Sequence, residues 1–159
     1  KALILVSPAI YTTGGVTTWL RPLLRTPQMR RLGPRLVRGI ASSGGNLINL
    51  SWHDPSRINS HILEGYRRPL RAENWDVGLW SFMSSSRPYT NLSDELAELD
   101  RPILVVTGDD DRVVPTEDSE RLAEEIDAQL RVIAACGHLA QEECPTEFLR
   151  VVDEFLTTI

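Results

Sequence analysis

Residues 101–159 leave this chain few folds to choose from. The run Pro102-Ile103-Leu104-Val105-Val106-Thr107-Gly108 is almost continuously apolar, the mark of a strand covered on both faces. From Thr116 to Asp127, Leu122, Ala123 and Ile126 follow helical spacing, while Glu117, Asp118, Glu120, Glu124 and Glu125 make the remainder acidic. This predicts an amphipathic helix lying on a sheet. A weaker strand signature returns in the stretch from Leu130 to Gly137. The last segment is clearer: Phe148, Val151, Val152, Phe155, Leu156 and Ile159 recur at i, i+3, i+4, i+7, i+8 and i+11, behind Pro145 in the first turn. Strand, helix, strand, helix makes the two strands parallel neighbours in an α/β layer.

Ala2–Val6 is a third buried-strand run, ending in Ser7-Pro8-Ala9. It begins directly after Lys1 with no signal or transit features, which we read as an internal cut or the start of an ordered segment. Residues 14–98 differ in character. Gly14-Gly15, Pro22, Pro27, Gly33-Pro34, Gly44-Gly45, Pro55 and Pro69 break them into short helical pieces, and Trp19, Trp52, Trp75 and Trp80 all fall there. One helix is predicted to start at Asp54-Pro55 with Ile58, Ile62 and Leu63 as its stripe; another carries Trp75, Leu79, Phe82 and Met83. Helix packing is the first reading of these aromatics, and lining a pocket the second.

Composition narrows the function. With 42% apolar and 25% charged residues the chain is a globular protein, and 159 residues predict one domain. A net charge of −5 with dispersed arginines lacks the basic footprint that nucleic acid requires. No apolar run approaches the roughly 20 residues of a membrane span. Two cysteines, Cys136 and Cys144, are too few and too close for a disulfide framework and favour a reducing compartment; three histidines give no metal-ligand spacing, and no cofactor is expected.

Reactive groups of a parallel sheet collect at the carboxyl ends of its strands. Gly108-Asp109-Asp110-Asp111 leaves one such end and Cys136-Gly137-His138 its neighbour. A histidine there can take and return a proton, and a carboxylate beside it would hold its tautomer. On spacing alone a loop aspartate is more often a helix cap.

The stretches RPILVVTGDDDRVVP and IAACGHLAQEECPTEFLRVVDEFL resemble the C-terminal half of an α/β-hydrolase. Its late acid sits in a Gly-x-x-Asp-x-x-x-Pro context, and its histidine follows a glycine ahead of a Pro-initiated last helix. The resemblance implies that Asp111 is the triad acid and His138 the general base, in the chain order nucleophile, acid, histidine. KALILVSPAI resembles the strand after the nucleophile helix, and WHDPSRINSHILEGYRRPLRAENWD the helical cap of lidded members, especially chloroplast-type hydrolases of plants and algae.

On that basis the fold expected is α/β: a partial hydrolase core formed by 1–12 and 99–159, with 13–98 as an all-helical cap. Plastid, otherwise cytoplasmic, localisation follows from the same similarity.

The family's Gly-x-Ser-x-Gly elbow, its oxyanion-hole loop and its first strands do not occur in these residues and are expected before Lys1. Ser42 and Ser43 lie in ASSGGN without that spacing and read as a cap loop. Cys136 reads as a small buried strand-end residue, Cys144 as a helix-cap position, and His53 and His61 as polar positions on cap helices. Glu143 matches a family position near the histidine loop; we assign it a part in fixing that loop and none in catalysis.

The function implied is hydrolysis of an ester or related acyl or carbon–carbon substrate by a serine outside this chain, with a small hydrophobic ester-like substrate. An N-terminal half or partner chain would complete the sheet, because the first strand otherwise exposes an edge. Two alternatives are an aspartate nucleophile acting on epoxides or alkyl halides, and a non-catalytic, hydrolase-derived subunit of a larger assembly.

Overall fold

A computed structural model describes residues 1–11, 21–42, 45–85 and 91–159. Trp19, Ser43 and Gly44 lie outside them. The chain divides into two units, one made of Lys1–Thr12, Ile48–Pro55 and Pro88–Ile159, the other of Thr13–Leu47 and Ser56–Arg87.

The first unit is built on a parallel sheet in the order β1 (Leu3–Val6), β2 (Ile103–Gly108), β3 (Gln129–Ile133). Leu3 pairs with Ile103 and Val6 with Val106, and Leu104 pairs with Gln129 through to Gly108 with Ile133. The unbroken apolar run of β2 is explained by its central place, since every one of its residues is buried. Alternate side chains serve opposite faces. Leu104 and Val106 join Ile133, Cys136, Ala140, Val151 and Phe155, placing α9 (Pro145–Thr157) on one face. Ile103 and Val105 join Leu96, Leu122, Ala123 and Ile126, placing α6 (Leu92–Ala97) and α7 (Thr116–Glu125) on the other. Each large side chain so buried contributes about 1.5–3 kcal/mol. The expected stripes of α7 and α9 therefore face the sheet, although Leu156 and Ile159 at the end of the last helix are exposed. β1 is half-exposed, and its pairing among the described residues is to β2 alone.

The second unit is helical: α1 (Arg21–Leu24), α2 (Pro27–Ser42), the start of α3 (Gly45–Leu50), α4 (Ser60–Arg67) and α5 (Trp75–Ser85), with single 3-10 turns at Pro55–Arg57 and Arg68–Arg71. Three local expectations are corrected here. Gly33-Pro34 does not break the chain, because α2 runs through it. A β-carbon at Gly33 would overlap the Trp80 ring, so this glycine is where α2 and α5 close on one another. Nor does α4 start at Asp54-Pro55. Asn59 caps its N-terminus, its side chain accepting from the backbone N–H groups of His61 and Ile62 at 2.9 and 3.0 Å, which starts the helix at Ser60, later than the Pro signal suggested.

The third correction concerns α5. Its buried face is Asp76, Trp80 and Ser84, while Leu79, Phe82 and Met83 are exposed. Arg38 on α2 bonds the buried Asp76 carboxylate at 2.8 Å, which allows a charged residue on the packed face. A cleft of about 490 Å³ between these helices is lined by Leu24, Arg25, Arg30, Val77, Trp80 and the serines Ser81 and Ser84.

Candidate active site

The loops leaving β2 and β3 meet at the carboxyl end of the sheet and are stitched together by backbone. Asp109 N–H donates to the Ile133 carbonyl at 3.0 Å and Asp110 N–H to the Cys136 carbonyl at 3.1 Å. In return Asp109 Oδ1 accepts from Cys136 N–H at 3.2 Å, so the first of the three aspartates pins the histidine loop. Gly108 permits this approach, because a β-carbon there would overlap the carbonyl groups of Cys136 and Gly137. Thr116, at the head of α7, closes the acid loop from the other side by donating its hydroxyl to the Gly108 carbonyl at 2.7 Å.

This brings Asp111 and His138 together. His138 Nδ1 lies 2.9 Å from Asp111 Oδ2; the carboxylate is fully shielded from solvent, and the imidazole is 24% exposed. Asp111 Oδ1 accepts from the backbone N–H groups of Val113 and Val114 at 2.9 and 2.8 Å. Burial alone would raise the Asp111 pKa, but the His138 and backbone hydrogen bonds outweigh it and hold the carboxyl below its ordinary value. The group is thus ionised at neutral pH. With Nδ1–H fixed on Asp111, the histidine presents Nε2 as its free acceptor, the tautomer a general base needs. Ser7 stands at the end of β1 in the left-handed region, φ 43°; its buried hydroxyl lies beside Asp111 without closing a hydrogen bond.

Asp110 does more than shape a turn. It takes a fork from Arg112, at 3.1 Å from Nε and 2.6 Å from Nη2, and lies 2.9 Å from His53 Nδ1. The Arg112 and His53 bonds hold its carboxyl below the ordinary range. His53 is therefore in a loop against the acid turn rather than on a helix, while His61 lies in the first turn of α4 and is exposed. No sequence signal links His53 to Asp110, because the contact spans 57 residues.

Glu143 fixes the histidine loop as expected, whereas the two cysteines depart from expectation. Glu143, at the end of α8 (Ala140–Glu143), is fully buried. Its Oε2 accepts from the N–H groups of Gly137 and His53 at 2.8 and 2.9 Å, and its Oε1 from Asp54 N–H at 2.9 Å. Cys136 and Cys144 are joined as a disulfide, with Cα atoms 6.3 Å apart, contrary to the expectation of two independent thiols. The turn of α8 folds the chain back, which brings together residues that looked merely close in sequence. Cys144 is also the N-cap residue of α9.

Among the described residues no cluster of three or more His, Cys, Asp or Glu could hold a metal ion, and no helix is long and apolar enough to cross a membrane. Ser42 ends α2 and Gly45 opens α3.

Residues 1–151 match the family model described as the alpha/beta hydrolase family. The uncharacterized hydrolase YugF of Bacillus subtilis (strain 168) is 30% identical over 112 residues, which are 70% of this chain and 40% of that protein. A 2-hydroxy-6-oxononadienedioate/2-hydroxy-6-oxononatrienedioate hydrolase of Pseudomonas putida is 37% identical over 113 residues, 69% of this chain and 40% of that protein. The crystal structure of an alpha/beta hydrolase fold protein from Burkholderia ambifaria superposes with a TM-score of 0.71 at 23% identity, covering 95% of this chain and 55% of that one. The chain thus spans 40% of the length of the curated relatives and about half of the solved one. With its parallel sheet, its strand-end loops and a family match over nearly its whole length, the chain belongs to the alpha/beta hydrolase family.

Proposed function

We propose that this chain supplies the acid and the general base of a serine-type hydrolase whose nucleophile lies outside these 159 residues. The observation that carries the reading is the 2.9 Å contact between His138 Nδ1 and a completely buried carboxylate, which the His138 and backbone hydrogen bonds hold below its ordinary pKa against the effect of burial. In this scheme His138 Nε2 takes the proton of the attacking hydroxyl and passes it to the leaving group. It then deprotonates the water that releases the acyl group, while Asp111 stays ionised and orients the ring.

The preceding part of an α/β-hydrolase, contributed by the same or another polypeptide, would pair with the half-exposed edge of β1 and bring the elbow and the oxyanion hole. Residues 13–98 are read as the helical insertion of that hydrolase. Relatives named as 2-hydroxy-6-oxo-dienoate hydrolases and neighbours named as esterases support a carbonyl substrate, either an ester or an oxo-acid cleaved at carbon.

Labelling of the intact protein by a serine-reactive fluorophosphonate tests the reading. Label is expected on wild type and its loss on His138→Ala. An intact protein that never labels yet hydrolyses an epoxide or alkyl halide would transfer the reaction to an aspartate nucleophile; no turnover of any of these substrates would leave a structural subunit.

A further inference from the structure

We infer that Glu143 is the positioning residue of this active site, a buried carboxylate that fastens the histidine loop and the Ser51–Asp54 segment to each other and so fixes the aim of His138. The inference rests on the reading of His138 as base and Asp111 as acid.

A carboxylate with no solvent exposure is costly unless its oxygens are well occupied. Glu143 meets that condition with three backbone donors at 2.8–2.9 Å drawn from two distant pieces of chain. Such bonds to a charged acceptor are about twice as strong as neutral ones.

One donor, Gly137 N–H, belongs to the residue directly before His138. Fixing that peptide restricts the backbone from which the imidazole projects. The other two belong to His53 and Asp54, and His53 in turn reaches Asp110, the neighbour of Asp111. A single side chain therefore ties down the base and, through His53, the turn that carries the acid.

The clamped backbones are in van der Waals contact. A β-carbon at Gly137 would lie 2.6 Å from the Ser51 carbonyl oxygen and 2.7 Å from His53 N, and neither can swing away as a flexible side chain would. The Cys136–Cys144 disulfide closes the same loop, with Glu143 next to one of its ends. The N–H groups of Gly137, His53 and Asp54 need an acceptor here, and the carboxylate supplies one with a fixed direction. Misplacing a catalytic group by about 1 Å costs on the order of 100-fold in rate, so losing the clamp should fall on turnover and spare substrate binding.

The test compares wild type, Glu143→Ala, Glu143→Gln and His138→Ala in the intact protein. It measures kcat and KM on a p-nitrophenyl ester per fluorophosphonate-titrated site, thermal melting, and the low-field proton resonance of the His138 Nδ1–H. The expected result for Glu143→Ala is a kcat per site lowered by about 10- to 100-fold with KM changed by less than about threefold, and loss or broadening of the low-field resonance in a folded protein. Glu143→Gln should recover part of the rate, because its carbonyl oxygen still accepts.

A kcat per site within about twofold of wild type in a folded Glu143 variant would overturn the inference. So would a loss explained wholly by a smaller folded fraction. If Glu143→Ala does not fold, the Gln variant decides by the same criteria. A His138→Ala protein as active as wild type would sink the underlying reading; an inactive His138→Ala beside a normal Glu143→Ala would sink this inference alone.

Discussion

Replacing Asp111 by Asn tests the acid–base pair almost atom for atom. In the native loop Oδ1 accepts two backbone N–H groups and Oδ2 accepts His138 Nδ1–H. Asparagine can keep the first two bonds only by placing its carbonyl oxygen at Oδ1, which puts its NH2 where Oδ2 was. That donor faces Nδ1, so the ring must carry its proton on Nε2 and cannot accept one from the nucleophile. A wrong tautomer of this kind costs about 10⁴ in kcat, equal to roughly 5.5 kcal/mol of transition-state stabilisation. Folding should lose far less, about 1–2 kcal/mol, since all three hydrogen-bond positions remain occupied and a neutral amide is cheaper to bury.

The acid limb of stability adds a second signature. The folded Asp111 pKa lies below the ordinary carboxylate value, so its contribution is complete above the unfolded pKa of about 3.9 and disappears as pH falls through the folded one. Asp111→Asn should therefore destabilise at neutral pH and converge with wild type at the lowest pH. The assays are ester turnover per active site at neutral pH and urea melts across the acid range. A folded Asn variant with kcat within about tenfold of wild type would refute the assignment.

Gly108→Ala should separate the two loops, because the new methyl meets main chain that cannot yield; overpacking of about 1–3 kcal/mol is expected in urea melts, and an unchanged midpoint would contradict the close approach. Trp80→Ala in the helical unit should cost about 3–5 kcal/mol, whereas Phe82→Ala on the exposed side of α5 should cost less than about 1 kcal/mol; equal losses would restore the stripe expected from spacing. Cys144→Ser, or reduction, opens a loop of 8 residues and should lower stability by up to about 2.5 kcal/mol, so identical melts with and without reductant would argue against the bond.

Local pattern carried the strands and the sheet-bound helices. β2 is legible because a central parallel strand is apolar on both faces, and α9 because a helix on a sheet repeats its apolar positions at helical spacing. The pair Asp111 and His138 was legible through motif context. Pattern failed on α5, where the longest apolar side chains face outward and a paired aspartate and a tryptophan seated on Gly33 face inward. Spacing records which residues share a side; it does not record which side finds a partner.

The sequence by itself determined an α/β layer and two strand-end residues fit for acid–base work, because hydrophobic periodicity and motif spacing are local properties of a chain. Only the tertiary structure decided that Asp110 belongs to His53 and Arg112, that Asp111 belongs to His138, that the cysteines join, and that Glu143 gathers donors from residues 53, 54 and 137. Those choices join groups up to 90 positions apart, and local spacing does not record which distant groups the packed fold brings within reach.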